Sequence, residues 1–210
     1  VGLYYLAIVT VATFILRQNE YKRLLAYSSI ENMGIIAFGT GIGGLGAFGA
    51  MLCLIHHSLI KSSLFLTSGN ILFAYGSRLI EKTGSLSTRM PKTCIAFVGG
   101  FVGIAGFPPF GLFLGELFII IAAFRAGQHL EVGIFLATLC VIFAGFARHV
   151  MKISYGSHDS CGEDDGFDEP ATMVWPQYVL LLTSVVLCFW MPETLHQAIT
   201  DALDFVPGGF

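Results

Sequence analysis

Hydrophobic residues along this chain come in long runs separated by short polar, glycine-rich or proline-rich segments. Cutting the runs at those breaks leaves six apolar stretches, at about residues 1–16, 24–42, 47–75, 93–124, 132–150 and 174–191. A helix crossing a hydrocarbon core of about 30 Å needs about 20 residues. The first stretch is short, as a truncated helix would be. The third and fourth are too long for one straight helix; tilt or protruding ends absorb the excess of the third. The fourth contains Gly106-Phe107-Pro108-Pro109-Phe110-Gly111, which cannot continue a regular helix because proline lacks the amide hydrogen and clashes with the preceding turn. The pattern therefore predicts an all-α, polytopic transmembrane helix bundle of about six spans, with a discontinuous helix at Gly106–Gly111. Unwound backbone at that depth is tolerated only where protein buries it or a cavity receives it.

Composition agrees: 55% of the 210 residues are hydrophobic and 12% are charged, which a soluble domain of this length does not need. The apolar stretches are too many for a signal peptide followed by a soluble domain. The chain is expected to be a single transmembrane domain over 1–210 and, because it begins at Val1 inside an apolar run, a fragment of a longer protein. Basic residues fix the expected orientation. Of eleven Lys and Arg, Lys61 lies within a span and Arg125 in an opposite turn; the other nine fall at 17–23, 77–92 and 148–152. Those segments are expected in the cytoplasm, together with an acidic loop over 154–173, leaving the C-terminus outside.

The acidic run Ser157–Pro170 fails the ligand spacing of a calcium loop and reads as a solvated loop able to touch a partner subunit. The run Gly41-x-Gly43-x-x-Gly46 follows a membrane span rather than a strand, so it reads as a turn between close-packed helices instead of a dinucleotide fingerprint. Five cysteines, Cys53, Cys94, Cys140, Cys161 and Cys188, form no CxxC pair; neither a metal, a cluster nor a disulfide framework is expected, and no cofactor.

Two charges sit deep inside the two longest stretches. Lys61 lies in 47–75 and Glu116 in 93–124, where a charged group costs roughly 2.5–3.5 kcal/mol at mid-bilayer and by default marks an ion or proton path. His57, four residues before Lys61, shares its helix face, and histidine exchanges protons near neutral pH. Ser58, Ser62, Ser63, Thr67, Ser68 and Asn70 give the same stretch the polarity of a wet interior. His56 lies about 100° round the helix. Glu31 stands about one-third into the second span, among Ser28, Ser29 and Asn32. On physics alone Lys22, at a span boundary, reads as a topology anchor. Lys61 and Glu116 are predicted to meet at a polar mid-membrane cavity, within about 10–15 Å, the reach of a few waters.

Specific segments resemble a known family. Lys22-Arg23-Leu24-Leu25-Ala26-Tyr27-Ser28-Ser29-Ile30-Glu31-Asn32-Met33-Gly34, then His57-Ser58-Leu59-Ile60-Lys61 with Leu64-Phe65-Leu66-Thr67-Ser68-Gly69, resemble the antiporter-like membrane subunits of respiratory complex I, multi-subunit sodium/proton antiporters and energy-converting hydrogenases. Gly106–Gly111 followed by Glu116 is similar to the family's second broken helix, and glutamate there is typical of the subunit-M type. Ser68-Gly69-Asn70-Ile71-Leu72 looks most like the F component of hydrogenase-4 and formate hydrogenlyase-type complexes. The resemblance covers about residues 17–155.

The resemblance implies the second of two inverted repeats plus a C-terminal helix, the C-terminal half of a longer subunit in a cell inner membrane. By resemblance, Lys22 links half-channels, His57 and Lys61 belong to a central polar axis, and Glu116 is the terminal proton carrier; Glu31 and His56 are further candidates. Cys53 stands where some relatives carry another relay histidine. The implied function is proton translocation in a redox complex of hydrogenase-4 or NADH–quinone oxidoreductase type, with the redox chemistry on partner subunits and other membrane subunits of the complex as neighbours in the bilayer; no nucleic acid is implied. A sodium/proton antiporter subunit is the alternative, and a passive membrane anchor a third reading.

Overall fold

A computed structural model describes Tyr4, Thr10, residues 18–156 and residues 167–204. Eight α-helices follow in order among the described residues: α1 (Tyr21–Ile42), α2 (Gly44–Tyr75), a short α3 (Leu86–Arg89), α4 (Pro91–Ile104), α5 (Gly111–Arg125), α6 (His129–Tyr155), α7 (Ala171–Phe189) and α8 (Glu193–Leu203). The helices α2, α6 and α7 are each long and apolar enough to cross a membrane. Lys22, Arg23 and Glu31 make α1 more polar, although its 22 residues have the necessary length. Of the first predicted stretch only Tyr4 and Thr10 are described, both helical; Tyr4 stacks on Phe38 of α1 at 4.9 Å.

The predicted stretches at 24–42, 47–75, 132–150 and 174–191 correspond to α1, α2, α6 and α7. The fourth is discontinuous as expected: α4 has 14 residues, α5 has 15, and Ala105–Phe110 separates them. Gly106 turns the chain with φ +69°, a conformation costly for residues carrying a Cβ, while Phe107, Pro108 and Pro109 are exposed. The helix α8 was not predicted. Its eleven residues are too few to span a bilayer, and its Ile199 and Leu203 pack on Ala47 and Leu52 of α2.

The long helix α2 is the hub, touching α1, α4, α5, α7 and α8. Its crossing with α5 is the closest approach. A methyl placed on Gly49 would come within 2.6 Å of the Gly115 carbonyl oxygen, and one on Gly115 within 2.8 Å of the Gly49 oxygen. Such mutual small-residue contacts let membrane helices gain van der Waals attraction where lipid removes the hydrophobic incentive to associate. At the α1–α2 turn, Gly39 and Gly46 likewise press on each other, in keeping with a glycine-rich turn between packed helices.

The basic segments gather at one end of the bundle. Ile80 N–H donates to the Asn19 carbonyl (2.8 Å), Tyr21 N–H to the Arg78 carbonyl (3.3 Å), and Ser85 N–H to the Gly156 carbonyl (2.7 Å). Lys152 approaches Glu81 at 4.0 Å. At the other end lie the α1–α2 turn and the α5–α6 turn.

The glycine crossing yields a testable contrast. Gly49→Ala should lower the thermal unfolding temperature of the detergent-solubilised protein, overpacking costing about 1–3 kcal/mol. Gly69→Ala, with nothing within 4 Å of the added methyl, should leave it unchanged or raise it. Equal midpoints for Gly49→Ala and the native protein would contradict the close crossing.

Candidate functional site

Lys61 projects from the middle of α2 and is 5% exposed. Its ammonium donates to the Leu25 carbonyl and to Ser28 Oγ (2.6 Å). Ser28 in turn donates to the Leu25 carbonyl at 3.1 Å, so one turn of α1 supplies a prepared acceptor pair. A buried ammonium needs such partners, because its three donors cannot be left to hydrocarbon.

One turn beyond Ser28, Glu31 is 7% exposed and lies within electrostatic reach of both Lys61 and Glu116. Glu116, 5% exposed, stands in the second turn of α5, its carboxyl against the Cα of Gly106; a methyl there would sit 2.2 Å from Oε2. Bending the chain at Gly106 is thus what seats the carboxyl. The three charges come from three helices, with Glu31 electrostatically joined to the other two.

Two spaces flank the predicted relay, each beside one of its carboxyls. Ser28 and Glu31 line a space of about 20 Å³, room for a single water. Glu116 lines a separate cavity of about 270 Å³. Both are walled mostly by apolar side chains, and Ala105, Leu139 and Phe143 belong to both. Among these lining residues the polar side chains come from α1 and α5 apart from Cys140, while the shared wall comes from the helix break and α6.

His57, buried, lies one turn before Lys61, and its Nδ1 has no hydrogen-bond partner among the described residues. His56 points elsewhere. Its Nδ1 is 3.0 Å from Ser184 Oγ of α7, and its ring lies on Gly111, where an added methyl would be 2.1 Å from Cε1 and Nε2. Cys53 is fully buried against Gly115, with Sγ 2.6 Å from where a methyl on that glycine would stand, so the close crossing leaves little room for a larger side chain. Lys22 is half-buried in the first turn of α1, one turn before Leu25. Pro108 and Pro109 lie in the exposed break.

Sequence reasoning missed Glu169. It belongs to the acidic segment read as solvated, of which 157–166 lie outside the described residues, yet it is buried. Its carboxylate accepts the Lys92 and Thr93 backbone N–H groups at 3.0 and 2.7 Å, satisfying the orphan donors at the start of α4 and facing the positive end of its dipole. The available signal was that α4 opens with Pro91 and has no acidic residue in its own first turn. A partner 77 residues away is not locally readable.

The long apolar helices, the interrupted helix and the charges buried beside it define a multi-pass membrane protein. Residues 2–142 match the family described as NADH:quinone oxidoreductase/Mrp antiporter, transmembrane, and the chain belongs to that family. It is 37% identical over 138 residues to formate hydrogenlyase subunit 3 of Escherichia coli strain K12, covering 60% of this chain and 22% of that protein. It is 32% identical over 151 residues to the hydrogenase-4 component F homolog of Methylacidiphilum infernorum, covering 71% and 32% respectively. The archaeal membrane-bound sulfane sulfur reductase contains a chain that superposes with a TM-score of 0.82 at 25% identity, covering 97% of this chain and 41% of that one. This chain thus spans about a fifth to a third of those two curated relatives.

Removing the α4 cap is expected to destabilise the fold. Glu169→Ala should lower the unfolding midpoint by the equivalent of about 1–2 kcal/mol, the usual loss for a helix cap. An unchanged midpoint would mean that water serves the α4 amides equally well.

Proposed function

We propose that this chain is the second repeat and following helix of a longer antiporter-like subunit, and that it conducts protons within an energy-converting redox complex of hydrogenase-4 or NADH–quinone oxidoreductase type. The observation that carries this reading is the set Lys61, Glu31 and Glu116, three buried ionisable groups on three helices beside a helix break. Buried charges are too costly in a bilayer to persist as packing. Redox centres would lie on partner subunits. The positive-inside tendency supports a cytoplasmic location for the basic end and an inner-membrane orientation with the C-terminus outside.

In this reading a proton leaving the Lys61 ammonium passes to the Glu31 carboxylate through the one-water space lined by Ser28 and Glu31. From Glu31 it passes to Glu116, which holds it as a neutral acid against Gly106 before release. Ala105, Leu139 and Phe143, which line both spaces, must admit water transiently for the second transfer, which gives conduction a gate. His57 feeds the lysine from one turn away, and Lys22 connects the axis to the preceding repeat. A sodium/proton antiporter subunit is the second reading, favoured by the Mrp antiporter half of the family's description; the same carboxyls can hold either ion.

Inverted membrane vesicles containing the full complex test both. Glu116→Gln, which keeps the shape and loses the titrating group, should abolish redox-driven proton uptake while the complex still assembles. Normal uptake by an assembled Gln variant would defeat the assignment. Lys61→Met should abolish uptake as well, whereas a passive anchor would tolerate it. Proton movement that requires sodium and persists without redox turnover would select the antiporter.

A further inference from the structure

The helix α7 begins 29 residues beyond the end of the family match at residue 142, and nothing so far gives it a part in the chemistry. Yet it is tied to α2 by three buried or part-buried polar links. Asn70 Nδ2 donates to the Met173 carbonyl (2.9 Å), Ser63 Oγ donates to the Gln177 carbonyl (3.1 Å), and His56 Nδ1 meets Ser184 Oγ (3.0 Å). Positions 56, 63 and 70 recur every seven residues, so they form one face of α2. The first two links end on backbone carbonyls, which any residue would provide. The third depends on the identity of the side chain.

We propose that Ser184 is a positioning residue for His56, holding the imidazole against Gly111 at the start of the half-helix that carries Glu116. Ser184 is fully buried and His56 nearly so. A serine hydroxyl can donate to an unprotonated Nδ1 and accept from a protonated one, so it keeps the ring in place through either state. The ring occupies the space that Gly111 leaves by lacking a side chain, so its place beside the α5 N-terminus is set by what holds its nitrogen. Without the hydroxyl the ring nitrogen would be buried with no partner, and the imidazole would reorient away from the α5 N-terminus. This role rests on the proton-translocation reading and extends it to a helix outside the matched family region.

The test uses the full subunit in its complex, in inverted vesicles, with redox-driven proton uptake as the readout. Ser184→Ala should lower the initial rate roughly threefold to tenfold, the scale of one buried hydrogen bond, with assembly retained. Ser184→Thr, which keeps the hydroxyl, should restore most of the rate. Because Ser184 acts through His56, adding Ser184→Ala to His56→Gln should cause no further loss. A native rate for Ser184→Ala, or losses that multiply in the double variant, would overturn the role. If Ser184→Ala fails to assemble, Ser184→Cys is measured in its place against the same expectations. Lys61→Met run in parallel separates the two levels. Its retaining a native rate would overturn translocation itself, whereas its loss beside a native Ser184→Ala rate would overturn only the part assigned to Ser184.

Discussion

An ammonium group enclosed by apolar helices costs several kcal/mol unless the protein replaces its water, and the packing of α1 on α2 is arranged around that requirement at Lys61. Leu25 offers a carbonyl and Ser28 a hydroxyl, and both occupy the same turn of α1. Glu31 follows within one more turn, so satisfying the lysine also brings a carboxyl to it. The charge is tolerated only through residues supplied by the neighbouring helix, and the α1–α2 interface is correspondingly intolerant of rotation.

Close helix approach sets the rest of the site. The α2–α5 crossing at Gly49 and Gly115 fixes the depth of α5 relative to α2. It confines Cys53, and it lays His56 on Gly111 at the α5 N-terminus. At the other end of the break, Gly106 receives the Glu116 carboxyl. Glycines therefore bracket the break on both sides, each making room for one titratable side chain. Glu169 anchors the far end of α4 through its first-turn amides, so the half-helix leading to the break is held at its start as well as at its end.

Two spaces lie beside the buried carboxyls of the interior. Ionisable groups stand on α1, α2 and α5, while Ala105, Leu139 and Phe143 from the break and α6 line both the space beside Glu31 and the one beside Glu116.

Run length, the Pro108-Pro109 interruption and the basic-residue distribution were enough to read the all-helical membrane fold, the broken helix and the loops sharing one end, because bilayer thickness and proline chemistry act locally. The intramembrane positions of Lys61, Glu116 and Glu31 were legible for the same reason: a charge inside an apolar run is conspicuous. What each charge touches was not. Ser28 is 33 residues from Lys61, Ser184 is 128 from His56, and Glu169 is 76 from Thr93, and no local periodicity encodes such pairings. The amphipathic α8 was overlooked because it is too short for a span. That the spaces beside Glu31 and Glu116 are walled mostly by apolar side chains was not legible either, because the side chains lining a gap come from helices whose rotation only close packing determines. The sequence by itself determined which residues must be helical, where the helix must break and which charges must be buried; the tertiary structure decided which partners satisfy them, since that depends on crossing points set by glycines far apart in the chain.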